Sequence, residues 1–198
     1  MYPVKPGLLI GFHGCEESIR NAIISNETML KPSQNKYDWL GAGFYFWEGN
    51  YARALDFARH PPGKKKIINP AVLGAVIELG YCLDLMDTDC IRMVKDSFNN
   101  LSEIFDMVNK DLPINKNIGM SKDTLLRELD CAVIENLHLQ RAYGNKKAFD
   151  SARGLFVEGQ PIYEGAGFHE KNHIQICIRN PNCIKGFFVP RKEVQWKG

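Results

Sequence analysis

Strand-like and helix-like patterns occupy separate parts of this sequence, and that separation restricts the fold more than any other feature. Short apolar or aromatic runs bounded by Gly, Pro and Asn are found towards both ends of the chain. Between them, Asp89 to Val108 and Leu125 to Leu139 repeat apolar residues at a period near 3.6, which is typical of amphipathic helices. This segregated pattern predicts an α+β fold, with the central helices flanking or capping a sheet.

The remaining elements follow from the same periodicity. Strands are predicted at 7–12, 39–47, 72–79, 81–85, 154–157, 174–178 and 183–189, and two shorter helices at 16–25 and 50–58. No internal repeat, low-complexity tract or composition shift marks a linker. The sequence therefore predicts a single domain over residues 1–198.

Composition excludes several function classes. The net charge of +2 is too small to indicate a nucleic-acid or membrane partner. The six cysteines have neither the spacing of a metal site nor that of a redox motif, so reduced thiols, a cytoplasmic location and no bound metal are expected. No apolar run resembles a signal peptide or reaches the length of a transmembrane helix, so no membrane partner is expected.

Two motifs carry the functional prediction. The first predicted strand ends in Phe12-His13-Gly14, and a later strand contains the run Leu40-Gly41-Ala42-Gly43-Phe44-Tyr45-Phe46 before a predicted helix. Together they resemble the poly-ADP-ribose-polymerase-like branch of the ADP-ribosyltransferase superfamily. That resemblance implies a split β-sheet core with flanking helices and NAD as co-substrate. Residues 88–140 match nothing in that family and are interpreted as a helical insertion.

The resemblance implies a role for each residue of these motifs. Gly14 would bind the carboxamide of nicotinamide through its backbone N–H and C=O, because a residue without Cβ allows close approach. His13 would hydrogen-bond a ribose hydroxyl, and Tyr45 would stack on the nicotinamide ring. Phe57, on the following helix, is a weaker candidate for the opposite wall of the ring site.

The third signature position of the family is a glutamate near the start of a late strand, where it stabilises the oxocarbenium-like transition state. Alignment on the turn after residues 173–178 places Gln175 there, and period-2 geometry puts His173 on the same face. A glutamine can orient a hydroxyl but supplies no negative charge. Glu158, which closes the predicted strand 154–157 just before Gly159, is the preferred alternative carboxylate.

Three functions follow from these residues. The first is a mono-ADP-ribosyltransferase that cleaves NAD at the nicotinamide–ribose bond and transfers ADP-ribose to a protein or nucleic-acid acceptor. The second is a toxin-like NAD glycohydrolase with water as the acceptor. The third is a catalytically degenerate module that binds NAD or ADP-ribose, suggested by Gln175. The implied partners are NAD, a macromolecular acceptor and a regulatory or antitoxin-like protein.

Overall fold

A single large sheet contains strands from both ends of the chain. The computed structural model describes residues 7–61, 66–117 and 123–191. The sheet has the strand order β4-β7-β8-β2-β1-β3-β9, and its pairs are antiparallel except for the parallel pair β4–β7. Its strands are β1 Leu9–Glu16, β2 Phe44–Glu48, β3 Pro70–Ile77, β4 Cys82–Asp84, β7 Ser151–Phe156, β8 His173–Ile178 and β9 Ile184–Phe188. The two-residue strands β5 Asn115–Lys116 and β6 Leu126–Arg127 form a separate hairpin.

Four α-helices occur among the described residues, and local sequence explains where two of them begin. They are α1 Glu17–Ile24, α2 Tyr51–Arg59, α3 Thr88–Met107 and α4 Glu128–Tyr143. The Asn50 side chain caps α2 by accepting from the Arg53 N–H, and Asp87 caps α3 in the same way. None of the described helices is both long and apolar enough to cross a membrane.

The predicted α+β class is confirmed, and the period-3.6 segments form helices. Four boundaries were predicted wrongly. The strand predicted at 39–47 begins only at Phe44, after the glycine-containing turn, and the strand predicted at 154–157 already begins at Ser151. The first strand continues to Glu16, so His13 lies inside β1 rather than at its end. The second central helix begins at Glu128, after the short strand β6, because Leu126 pairs with Lys116 instead of entering the helix. Residues 118–122 of the expected insertion 88–140 lie outside the described residues.

Apolar side chains pack on both faces of the sheet. On one face, α2 lies against β1 and β3, while α4 packs on β7 and β8 through a cluster that includes Ile134, Leu137 and Cys177. We call this the α2/α4 face. The opposite, α1 face holds Ile23 of α1 with Cys15 and Leu73. The part of β2 and β8 between α2 and α4 contains the predicted site residues Tyr45, His173 and Gln175.

The pairing between β1 and β2 is short. Within residues 7–61, these strands share the register pairs Gly11↔Glu48 and Phe12↔Trp47, whereas β1 pairs with β3 along its whole length. Beyond Phe12, β1 continues beside β3 and the preceding part of β2 pairs with β8. Strands β1 and β2 are therefore paired over only a short stretch at the centre of the sheet. His13 and Gly14 lie beyond the end of that β1–β2 ladder.

Candidate functional site

His13 links the two central strands through its side chain. Its Nδ1 lies 2.9 Å from the Tyr45 carbonyl oxygen, which makes this nitrogen the donor. The imidazole also lies edge-on to Phe46, with ring centroids 6.0 Å apart, so it is on the α1 face. His13 thus contacts the backbone of Tyr45, while the two side chains are directed to opposite faces.

Backbone groups of Gly14 point towards β2. The Gly49 N–H donates to the Ile10 carbonyl at 2.9 Å, which shows that the polar groups of Ile10 face β2. In an antiparallel strand every second residue points its N–H and C=O in the same direction, so Phe12 and Gly14 face β2 as well. Gly14 therefore presents one donor and one acceptor where the ladder has ended.

Helix packing explains why position 14 is a glycine. A Cβ at Gly14 would collide with the Ala54 carbonyl of α2 and would lie 3.2 Å from the Ala58 Cβ. Both alanines are fully buried, so α2 rests directly on this part of β1. The sequence-based reason, close approach of a planar ligand ring, is not needed to account for this glycine.

Tyr45 holds the glycine-rich turn that precedes β2. Its hydroxyl donates to the Gly41 carbonyl at 2.6 Å and accepts from the Leu40 N–H at 2.9 Å. Burial, with the neighbouring Cys177, raises the pKa of Tyr45 well above its ordinary value, so the phenol stays protonated. The ring packs against the core cluster around Leu40.

Gln175 lies on the same face as Tyr45. It pairs in register with Trp47, while Tyr45 pairs with Cys177, and residues opposite each other in antiparallel strands share a face. Tyr45, Trp47 and Gln175 form what we call the central strip, between α2 and α4. The predicted alternation of His173, Gln175 and Cys177 agrees with this register. Gln175 makes no side-chain hydrogen bond to another described residue.

Glu158 lies in a buried charged cluster at one end of the central strip. Strand β7 ends at Phe156, two residues before Glu158, whose exposed fraction is 3%. One carboxylate oxygen accepts from Arg53 Nη2 at 2.7 Å and lies 3.3 Å from His173 Nδ1. Its negative charge is therefore compensated by α2 and is not presented to solvent.

His173 is enclosed by aromatic rings. The centroids of Trp39, Trp47 and Phe156 lie 6.1, 6.4 and 5.8 Å from its own. Its Nδ1 lies 2.7 Å from the Lys171 carbonyl oxygen, so this nitrogen carries the proton. Burial lowers the pKa of His173, against the opposing effects of the Lys171 carbonyl and Glu158. The imidazole is therefore neutral near pH 7.

The structure brings some predicted residues together and separates others. His173, Gln175 and Tyr45 share the α2/α4 face, and Glu158 contacts His173. Phe57 packs on Trp47, with ring centroids 5.0 Å apart, rather than facing Tyr45. No local sequence pattern assigns a site role to Trp47. Arg53 is joined to a carboxylate 105 positions away, which local patterns do not reveal.

Two cavities border these residues without being lined by His13, Tyr45 or Gln175. One, of about 430 Å³, lies between α4 and the segment before β2 and is bounded by Ala42, Cys131 and Glu135, among others. The other, of about 470 Å³, lies beside Glu158 and is lined by Arg127, Gly159 and His169, among others.

Comparison with known proteins adds one distant relative. No family model matches the sequence. The uncharacterized protein MJ0359 of Methanocaldococcus jannaschii is 26% identical over 192 residues, which cover 88% of this chain and 83% of that protein. The similarity extends over most of both chains and carries no information on activity.

Proposed function

We propose that this protein is an ADP-ribosyltransferase-type domain that cleaves NAD at the nicotinamide–ribose bond and passes ADP-ribose to an acceptor. The observation that carries the proposal is the early end of the β1–β2 ladder beside Gly14, Tyr45 and His13. A split at this point agrees with the split sheet that the sequence resemblance implies. The fold class itself is only α+β, and the finer assignment is part of the proposal.

Backbone geometry at the split supports nicotinamide recognition. The N–H and C=O of Gly14 face β2, and a carboxamide offers the matching acceptor and donor. Tyr45 supplies a half-buried aromatic ring on the neighbouring strand, held in place by the turn at Leu40 and Gly41. A pre-positioned ring and backbone pair bind a flat amide without reorganisation of the site.

Gln175 would orient the ribose. It lies on the central strip two positions from Cys177, which faces Tyr45, and its amide makes no hydrogen bond to a described residue. We propose that this amide binds a ribose hydroxyl and holds the sugar while the glycosidic bond breaks. Glu158, compensated by Arg53, would act through His173 rather than by direct contact with the oxocarbenium ion.

A second candidate function is a non-catalytic module that binds NAD or ADP-ribose. Gln175 favours it, because a neutral amide at the family's glutamate position gives no charge stabilisation to a cationic transition state. Under this alternative NAD would raise the melting temperature by mass action without any release of nicotinamide.

Nicotinamide release from NAD is the decisive measurement. We expect turnover by the wild-type protein and a loss of about tenfold or more in two variants. Gln175→Ala removes the proposed ribose contact, and His13→Ala removes the hydrogen bond from its side chain to the Tyr45 carbonyl. Exposed Glu103 on α3, replaced by Ala, is the matched surface control and should leave the rate unchanged.

Binding and turnover separate the two candidate functions. Stabilisation by NAD without nicotinamide release would favour the binding module. The absence of both would reject the proposed function altogether.

A further inference from the structure

Helix α3 repeats apolar residues every three or four positions over nearly its whole length. The positions that share this spacing are Ile91, Val94, Phe98, Leu101, Phe105 and Val108. A repeat that averages 3.5 residues is typical of helices that pair side by side with another helix. Within the chain, α3 already packs on α4. That contact uses only part of the repeat.

The contact with α4 is made by one side of α3. The completely buried Ser97 donates through Oγ to the Val133 carbonyl at 2.9 Å, and the Ser97 carbonyl accepts from Asn136 Nδ2 at 2.9 Å. Leu101, one turn later, is also buried. Consecutive residues of a helix are rotated by about 100° from each other, so Phe98 is turned away from the side that Ser97 presents to α4.

Three residues of the repeat form an apolar row that remains accessible to solvent. Ile91 is 50% exposed, Phe98 is 37% exposed and Phe105 is half-buried. Residues seven positions apart lie almost in line along a helix, and this row is about 21 Å long. We call it the α3 stripe. The core clusters of the described residues include neither Ile91 nor Phe98. Isolated exposed apolar residues are common, whereas an aligned row of them indicates a binding surface.

Charge beside the α3 stripe selects the kind of partner. Lys95 and Asp106 are both exposed and lie about 60° and 80° round the helix from Phe98, on the same flank. One is in the first half of α3 and the other in the second half. A second α3 in parallel orientation would put like charges side by side. In antiparallel orientation, Lys95 of each helix lies beside Asp106 of the other, so α3 is complementary to itself.

The remaining positions next to the stripe are uncharged. Ser102 lies between the stripe and its charged flank, about 40° from Phe98, and Val94 and Leu101 occupy the opposite flank. Covering the stripe with a second helix would therefore remove no unpaired charge from water, which is the main cost of burying a polar surface.

We propose that two copies of this protein pair through the α3 stripe, with the helices antiparallel about a twofold axis midway between Lys95 and Asp106. In that register the Phe98 ring of one copy lies between Phe98 and Phe105 of the other, so the aromatic side chains interdigitate. Each contact occurs twice because both copies use the same surface. The interface lies within residues 88–140 and does not depend on the proposed cleavage of NAD.

The oligomeric state of the full chain tests the proposal. Analytical ultracentrifugation over a range of concentrations should show a monomer–dimer equilibrium for the wild type. Phe98→Ser should raise the dissociation constant of the dimer at least about tenfold, because each dimer loses two buried rings. Phe168→Ser is the matched control, since Phe168 is 63% exposed on the segment between β7 and β8, and it should leave the dissociation constant unchanged.

An exchange of charges tests the orientation without altering the stripe. Lys95→Glu should raise the dissociation constant about fivefold, because two attractive pairs become repulsive. Adding Asp106→Lys to that variant restores opposite charges and should return the dissociation constant to within about twofold of the wild-type value. Both side chains are exposed, so neither change should impair folding of the monomer, which circular dichroism checks.

Three results would overturn the proposal. The first is a wild-type protein that stays monomeric up to about 1 mM. The second is a dimer that Phe98→Ser leaves intact or that Phe168→Ser disrupts. The third is a double variant that dimerises no better than Lys95→Glu alone. Because none of these measurements uses NAD, the failure of the interface and the failure of the proposed function are distinguishable.

Discussion

Single residues in this protein are constrained by atoms far away in the sequence. Gly14 shows this most clearly, since the helix that excludes a side chain there begins 37 positions later, at Tyr51. The glycine serves helix packing, and its backbone also faces the end of the β1–β2 ladder. One residue thus meets a structural requirement and the proposed functional one.

Replacing Gly14 by Ala tests this packing. The new methyl group would collide with the Ala54 carbonyl, and because backbone must move, we expect a loss of about 1–3 kcal/mol in the free energy of unfolding. Urea denaturation measures it. Gly167→Ala is the control, because a Cβ there meets nothing within 4 Å. Equal stability of the two variants would contradict the close approach of α2.

At the scale of elements, hydrogen bonds and an ion pair connect α4 to the segment before β2. The Glu135 carboxylate accepts from the Ala42 N–H and from Arg179 Nη1, both at 2.7 Å. Burial opposes ionisation of Glu135, but these donors outweigh it and lower its pKa. Because Tyr45 bonds the adjacent Gly41, the predicted insertion helps to hold the turn that fixes this ring.

Glu135→Ala should loosen that turn. We expect faster hydrogen exchange at the Ala42 amide and a loss of about 1.5–3 kcal/mol in stability, since the bonds to a charged group disappear while Arg179 remains half-buried. Glu103→Ala on the exposed side of α3 provides the comparison. Unchanged exchange at Ala42 would mean that α4 does not stabilise the turn.

For the whole molecule, buried histidines link stability to pH. Burial lowers the pKa of His138 to about 4, whereas an unfolded histidine titrates near 6.5. Between these values the unfolded chain binds a proton that the folded chain does not. The contribution of His138 to the free energy of unfolding is therefore fully present above about pH 6.5 and is lost as the pH falls. His173, also lowered in pKa by burial, contributes in the same direction.

Urea denaturation at pH 7 and pH 5 measures this linkage. Taking about 1.4 kcal/mol per pH unit, we expect His138 to contribute a loss of about 2 kcal/mol between the two conditions. His138→Gln should reduce the loss by that amount. Identical losses of stability in the wild type and in His138→Gln would contradict the conclusion that the buried His138 is neutral in the folded protein.

The sequence by itself determined the kinds of elements. Apolar periodicity predicted the α+β class, the helix after Asn50 and the alternation that puts His173 and Gln175 on one face. These properties depend on residues within a few positions of each other, so a linear pattern contains them.

Only the tertiary structure decided which side chains meet. The sequence could not show that His13 faces away from the Tyr45 ring, that Glu158 is buried against Arg53, or that Trp47 lies beside His173. Each of these depends on how far a ladder extends or on a helix crossing a sheet, and so on packing between distant segments. Burial and charge pairing, which determine the chemistry of an acid or a base, are therefore set by the fold.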